Sequence, residues 1–223
     1  MHKSGKATLA FYERLVGLLR EVARRAPSGQ FEFSKYINGL PGTAGTRILL
    51  RIQEDEISTS WIRKTIDMLT GSEELALNSR YYVSGQIFHI PMIDFLSDNL
   101  RDLQFTKIEK FATRMEASCI LANSGNSYHA YFSALLDECK WRAYLGELLL
   151  QTPPVYEGNP MPIDIRWVGH SLINGFSALR CSRRTARYKH TPYLIENGIL
   201  RKIAAANHEN YAADYDDTFT KSI

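Results

Sequence analysis

The chain has 223 residues, of which 44% are hydrophobic and 23% charged, so it is long enough to bury one sizeable core or a core with a small additional lobe. Three separated cysteines form neither a C-x-x-C pair nor an even set, which excludes a readable zinc site or disulfide framework. No segment approaches the roughly 20 apolar residues that span a bilayer, and there is no apolar signal core. We therefore expect a cytoplasmic protein without a membrane partner.

The formal net charge of +3 is unevenly distributed along the sequence. Residues 207–223 carry four acids and one lysine, a net charge of −3, which leaves +6 on the rest of the chain. We expect this acidic tail to be flexible. The positive remainder favours a polyanionic partner, because clustered Lys and Arg release counterions from nucleic acid.

Helical periodicity dominates the first 75 residues. Apolar residues at helical spacing predict an amphipathic helix over residues 6–25, and a second helix follows between Ser58 and Gly71. A glycine-rich connection at residues 39–45 precedes a short alternating strand at residues 47–52. We interpret residues 1–75 as a mainly helical extension or accessory lobe.

The β-forming run from Arg80 to Phe95 surrounds Ser84 and Gly85, which predicts a hairpin that ends at Asp94. An aspartate at the end of a buried strand is a common metal ligand. It is also a common helix cap, and Ser97 and Asp98 ahead of Leu100 suit capping as well. Both interpretations of Asp94 stay open.

The stretch from Ser118 to Phe132 predicts a strand, a polar turn at residues 123–127 and a second strand that presents His129. Hydroxyl, backbone N–H and imidazole groups in this turn could all bind one anion, such as a triphosphate. A helix is predicted over residues 133–151. A proline-rich connection then leads to Asp164 and to another helix that ends near Gly175.

The densest basic stretch of the chain follows a short hydrophobic run that contains Arg180. We define residues 183–190 as the basic segment, which holds Arg183, Arg184, Arg187 and Lys189 with an interleaved tyrosine. Basic residues interleaved with aromatic ones are typical of nucleic-acid binding.

Three short motifs in order resemble those of the archaeo-eukaryotic primase and primase-polymerase superfamily. The first is Ile93-Asp94-Phe95-Leu96, the second is Ser124-Gly125 followed by His129, and the third combines Ile163-Asp164 with Leu179-Arg180 and Lys189. The resemblance covers roughly residues 80 to 192. It implies an α+β fold with an RRM-like antiparallel or mixed sheet flanked by helices, and a catalytic domain over residues 76–206.

The resemblance also implies an activity, metal-dependent transfer of nucleotides to a 3′-hydroxyl on a nucleic acid template. In this interpretation Asp94 and Asp164, with Asp98 as a further candidate, bind Mg²⁺ or Mn²⁺, and His129 contributes to catalysis. Nucleoside triphosphates are bound by Ser124, His129, Arg180 and Lys189. Single-stranded DNA or RNA contacts Arg183, Arg184 and Arg187, and a replication partner protein is possible.

The first motif departs from the family pattern, because Leu96 stands where a second acid is expected. Asp98 could compensate, one metal ion could suffice, or catalysis could be lost while nucleotide or nucleic acid binding remains. The alternative function is therefore a catalytically reduced primase-like binding protein of a replication or mobile-element system.

Overall fold

The structure is a computed structural model that describes residues 3–37, 47–152 and 160–195. The predicted loop at residues 39–45, most of the proline-rich connection and the acidic tail lie outside the described residues. The helices are α1 (Lys3–Arg25), α2 (Thr59–Asp67), α3 (Phe105–Arg114), α4 (Glu138–Leu150) and α5 (Ile165–Asn174). The strands are β1 (Gln30–Ile37), β2 (Arg47–Gln53), β3 (Glu73–Val83), β4 (Gln86–His89), β5 (Met92–Asp94), β6 (Cys119–Asn123), β7 (Tyr128–Phe132), β8 (Ala178–Arg180) and β9 (Tyr193–Leu194).

These strands form two antiparallel sheets. The first has the order β2-β1-β3-β4, and β8 also pairs with β3. The second has the order β5-β7-β6-β9. With helices packed against both sheets, the predicted α+β class is confirmed.

Helix α1 packs against both sheets. Its side chains Phe11, Leu15 and Leu19 have no exposed surface and belong to one core cluster with Phe33 of the first sheet and Tyr131 of the second. A hydrogen bond from the Tyr12 hydroxyl to the Cys181 carbonyl, 3.0 Å long, adds a polar contact to this packing. Burying three large apolar side chains contributes about 1.5–3 kcal/mol each, so α1 is part of the core.

A second core cluster lies between the second sheet and the helices α3, α4 and α5. It contains Phe132 of β7, Phe105 of α3, Trp141 of α4 and Val168 of α5. Together with α1, these helices hold β5 and β7 in place. The two strands carry Asp94 and His129.

Several elements differ from the sequence-based expectations. The hairpin ends at His89, and Asp94 belongs to β5 in the other sheet. A 3-10 helix at Leu100–Leu103 is capped by Asn99 rather than by Ser97 or Asp98. Helix α4 begins at Glu138, five residues later than predicted, because the Asp137 side chain accepts the N–H of Lys140 and caps it there.

The N-terminal region contains two strands as well as two helices. Strand β2 agrees with the predicted strand, whereas β1 was missed. The predicted boundary between residues 75 and 76 falls within β3, whose partner strands include β1. No helix among the described residues is long and apolar enough to cross a membrane. The cytoplasmic location and the division into domains remain predictions.

Candidate functional site

The structure brings Asp94 and Asp164 together although they are far apart in sequence. Asp94 ends β5, and its carbonyl oxygen accepts a 2.9 Å hydrogen bond from the backbone N–H of Asp164. Phe95 and Ile163 form an isolated antiparallel bridge beside them. Asp164 is also the N-cap of α5, where its Oδ1 accepts the backbone N–H of Arg166 at 2.9 Å.

The two carboxyl groups repel each other electrostatically. Burial and then the neighbouring Asp164 carboxylate raise the pKa of Asp94 to about 8, although Arg180, Arg166 and a hydrogen bond with Ser127 act in the opposite direction. The Asp94 side chain still keeps 23% of its surface exposed, so a ligand can reach it. A close carboxyl pair of this kind favours either a shared proton or a cation.

His129 faces Asp94 from the adjacent strand, with its Nε2 atom 3.6 Å from Asp94 Oδ1. Burial, and secondarily the charge of Arg180, lower the pKa of His129 to about 3. The imidazole is therefore neutral at physiological pH, and its contact with Asp94 is not an ion pair. Its Nδ1 atom lies 3.3 Å from the hydroxyl of Tyr131.

Arg180 is the buried cation of the site, with only 5% of its surface exposed. Its Nη2 group donates to the Ser124 carbonyl, and its guanidinium lies 3.6 Å from the ring centre of Tyr188. The Nη1 group has no hydrogen-bond partner among the described residues. Because an unpaired buried donor is costly, an incoming anion that accepts from Nη1 would be stabilised.

The Ser-Gly turn at residues 123–127 packs tightly against the basic segment. Gly125 has φ +106°, and a Cβ atom there would lie 2.9 Å from the carbonyl oxygen of His190. The Ser124 hydroxyl is buried and bonds the Ser127 hydroxyl at 3.1 Å. The turn therefore needs glycine both for its backbone conformation and for its contact with His190.

A buried carboxylate holds the start of the basic segment in place. Glu74 has no exposed surface and accepts hydrogen bonds from Ser182 Oγ at 2.5 Å, from the Arg184 N–H at 2.9 Å and from Thr185 N–H and Oγ1 at 2.9 and 3.1 Å. The side chains of Arg183, Arg184 and Arg187 are exposed beyond this anchor. They remain predicted nucleic-acid contacts.

Asp98 and Lys189 lie at the surface rather than in the buried part of the site. Their side chains are 75% and 68% exposed, and Lys189 Nζ is 3.9 Å from Asp98 Oδ2. Leu96, where the family pattern has an acid, is 61% exposed. Asp98 as a metal ligand and Lys189 as a triphosphate contact therefore remain predictions.

The fit of a divalent metal ion rests on the carboxyl groups of Asp94 and Asp164. Across residues 3–37, 47–152 and 160–195, no group of three or more His, Cys, Asp and Glu side chains is arranged to bind a metal ion. Asp94 and Asp164 nevertheless supply oxygen ligands, and Mg²⁺ is commonly bound by one or two carboxylates together with substrate phosphates. The donor set fits a metal ion that arrives with a triphosphate.

Two polar residues at this site were missed by the sequence analysis. Ser127 hydrogen-bonds Asp94, and Arg166 Nη2 lies 3.3 Å from Asp164 Oδ2. Ser127 could have been found as the last residue of the predicted turn. Arg166 could have been found by its position in the first turn of a helix capped by Asp164.

A separate groove of about 580 Å³ lies near the end of α1 and between α3 and α4. It is lined by Arg25, Arg114, Leu135 and Tyr144 among others. None of the predicted site residues lines it, so we do not connect it with the chemistry of Asp94 and Asp164.

Comparison with known proteins places this site in a protein of the archaeo-eukaryotic primase class. The family model described as AEP-like, archaeo-eukaryotic primase 1D-like, matches residues 53–193, which is well over half of the chain. The chain belongs to this family, and the predicted resemblance is confirmed. No curated protein matches the sequence significantly.

Two solved structures are similar to the chain at low sequence identity. The crystal structure of primase RepB′ matches with a TM-score of 0.41 and 11% identity over 87% of this chain and 64% of that one. The catalytic domain of primase RepB′ in complex with initiator DNA matches with a TM-score of 0.44 and 12% identity over 91% of this chain and 100% of that one. The chain thus spans less than two thirds of the first of these proteins.

Proposed function

We propose that this protein is a metal-dependent nucleotidyltransferase of the primase or primase-polymerase type, which transfers nucleotides to a 3′-hydroxyl on a nucleic acid template. The observation that carries the proposal is the meeting of Asp94 and Asp164 beside the buried Arg180. The three residues come from separate parts of the sequence. The raised pKa of Asp94, beside an arginine with an unpaired donor, favours a ligand-binding role over a purely structural one.

The carboxylates of Asp94 and Asp164 would bind Mg²⁺ or Mn²⁺, both of which prefer oxygen ligands. Divalent ions bound there would stabilise the charge on the attacking and leaving oxygens of an in-line displacement. Arg166 shares the carboxylate of Asp164, but its side chain is 76% exposed and can move into solvent, which would leave the Asp164 carboxylate, only 17% exposed, to a metal ion.

Arg180 and His129 would bind the triphosphate. The unpaired Nη1 group of Arg180 can donate to a phosphate oxygen, while Nη2 and Tyr188 fix the orientation of the guanidinium. Burial raises the pKa of Tyr131 well above its usual value, so its hydroxyl keeps its proton and can donate to His129 Nδ1. This would leave the proton of the neutral imidazole on Nε2, the nitrogen that lies 3.6 Å from Asp94 Oδ1.

The test is nucleotide incorporation into primed and unprimed single-stranded templates with Mg²⁺ or Mn²⁺. Asp164→Asn removes the charge but keeps helix capping, because Asn and Asp cap equally well. We expect at least a 100-fold loss of incorporation with nearly unchanged template affinity, since the loss affects charge stabilisation in the transition state. Asp137→Asn is the matched control, because Asp137 caps α4 in the same way and is not part of the site.

Retention of full activity in Asp164→Asn would contradict the proposal. Loss of activity in Asp137→Asn as well would show that helix capping, rather than the charge at the site, explains the effect.

The exposed Leu96 favours a second candidate function, a catalytically reduced relative that binds nucleotides or nucleic acid. If the wild-type protein binds templates but incorporates no nucleotide, this candidate is preferred. Leu96→Asp then restores incorporation if only the second acid is missing. Continued inactivity of a folded Leu96→Asp variant supports the binding protein.

A further inference from the structure

We propose that one face of the first sheet binds single-stranded nucleic acid by stacking bases on arginine side chains, and that it guides the template toward the candidate site. We call it the arginine-tyrosine face and define it by Tyr36, Arg47, Arg51, Arg80 and Tyr82. The template role rests on the proposed function, whereas the binding itself can be tested without it.

The strand register places these side chains on one surface. In β1, Phe31 and Phe33 point into the core, so the alternate residues Glu32 and Tyr36 point to the opposite face. In β2 the core residue is Ile52, which puts Arg47 and Arg51 on that same opposite face.

Two of the three arginines lie over tyrosine rings, and the third, Arg80, lies over Phe176. The guanidinium of Arg47 lies 4.5 Å from the ring centre of Tyr36, and that of Arg51 lies 3.8 Å from the ring centre of Tyr82. The Arg51 side chain remains 51% exposed. At Arg51 the half-exposed guanidinium leaves surface for a base, and nucleic acid bases stack on arginine planes. Arg47 is less exposed and also donates its Nη1 to Ser34 Oγ at 2.9 Å.

A buried carboxylate orients the face without cancelling its charge. Glu32 has no exposed surface, receives Arg80 Nη2 at 2.7 Å and lies 3.8 Å from Arg51 Nε. It also accepts the hydroxyl of Tyr82 at 2.8 Å. The three arginines outnumber Glu32 and a second buried carboxylate on this face, Glu74, which pairs with Tyr36. The surface therefore keeps a net positive charge, which complements a phosphate backbone.

The face is continuous with the candidate site. Ser34 of β1 pairs with Ala76 of β3, and Ala76 pairs with Arg180 of β8, so Arg180 lies two strands away from β1 in the same sheet. With strands about 4.8 Å apart, a chain of a few nucleotides spans from the Tyr36 and Arg47 stack to Arg180. The candidate site thus lies at one side of this surface.

Stacking also selects the kind of nucleic acid. Bases in a duplex are already stacked on each other, whereas those of a single strand are free to stack on a protein surface. The expected ligand is therefore single-stranded DNA or RNA with little sequence preference.

The experiment separates stacking from charge. The double variant Arg47→Lys and Arg51→Lys keeps both charges but removes both planar groups, and its affinity is measured for a 12-nucleotide oligothymidine and for an abasic strand of the same length. Stacking of a base on an aromatic side chain contributes at least roughly fivefold per base, and we expect a guanidinium plane to contribute on the same order. We expect at least a tenfold loss of affinity for oligothymidine, a change of less than twofold for the abasic strand and an unchanged salt dependence.

The matched control is Arg20→Lys with Arg24→Lys, two exposed arginines on α1. It should bind both strands as the wild-type protein does, and thermal denaturation should show that both double variants are folded. Photocrosslinking with 5-iodouracil in the oligonucleotide should label Tyr36 or Tyr82. Unchanged affinity for oligothymidine, an equal loss for both strands, or crosslinks confined to other elements would overturn the proposal.

These outcomes are independent of nucleotide transfer. A wild-type protein that transfers nucleotides while the lysine variant binds oligothymidine normally would refute this surface and keep the proposed function. If the wild-type protein transfers no nucleotide but the lysine variant shows the predicted losses of binding, the proposed function is refuted and this surface is kept.

Discussion

Replacing Asp94 with asparagine should stabilise the metal-free protein at neutral pH. In the folded state the pKa of Asp94 is about 8, whereas the pKa of an unperturbed aspartate is 3.8. Between these two values the folded protein holds a proton that the unfolded chain has released. Raising the pH through this window therefore destabilises the wild-type fold, and asparagine, which does not titrate, escapes this effect.

The magnitude follows from the proton balance. Within the window each pH unit costs the wild-type protein about 1.4 kcal/mol relative to the variant. From pH 5 to pH 7 the difference in the free energy of unfolding should widen by about 3 kcal/mol in favour of Asp94→Asn. The difference should level off above pH 8, where the folded carboxyl group is also ionised.

The measurement is urea denaturation at several pH values with EDTA present, on the wild-type protein and on Asp94→Asn. Asp98→Asn is the control for the loss of a carboxyl group outside the buried part of the site, since Asp98 is 75% exposed. A difference between wild type and Asp94→Asn that does not change with pH would refute the electrostatic argument. So would a variant that is less stable than the wild-type protein at pH 7.

Two further variants test how the basic segment is held. Gly125→Ala should lower the free energy of unfolding in urea by about 1–3 kcal/mol, because it combines a φ of +106° with a contact against His190. The control Gly17→Ala, where a Cβ meets nothing within 4 Å, should not lower it. Equal effects of the two substitutions would contradict this view of the turn. Glu74→Gln replaces an acceptor of four hydrogen bonds and should lower the free energy of unfolding by about 2–4 kcal/mol. Trypsin should cleave the basic segment faster in this variant than in the exposed control variant Glu13→Gln. Unchanged cleavage would mean that other contacts hold the segment.

Local patterns in the sequence were sufficient for much of the fold. The period of apolar residues placed α1 and α5, and the polar turn between two apolar runs placed β6 and β7. Strand β1 was missed although its apolar residues alternate with polar ones, which is the pattern of a half-buried strand. Its buried Glu32 is compensated by Arg80 and Tyr82, which are distant in sequence and which a local pattern cannot reveal.

The candidate site was predictable as a set of residues but not as a geometry. Asp94, Asp164 and Arg180 were each identified from short motifs, and the structure brings them together. The raised pKa of Asp94 and the unpaired Nη1 group of Arg180 depend on burial between sheets, which has no signature in a single motif. The roles proposed for these side chains await the experiments above.

The position of β1 has a practical consequence for choosing the boundaries of an expressed fragment. The family model begins at residue 53, yet β1 lies between β2 and β3, and α1 fills the core beneath them. A fragment limited to residues 53–193 would lose the inner neighbour of β3 and expose the apolar surface that Phe11, Leu15 and Leu19 cover. The unit that sequence similarity outlines is thus smaller than the unit that folds, and expression trials should begin upstream of α1.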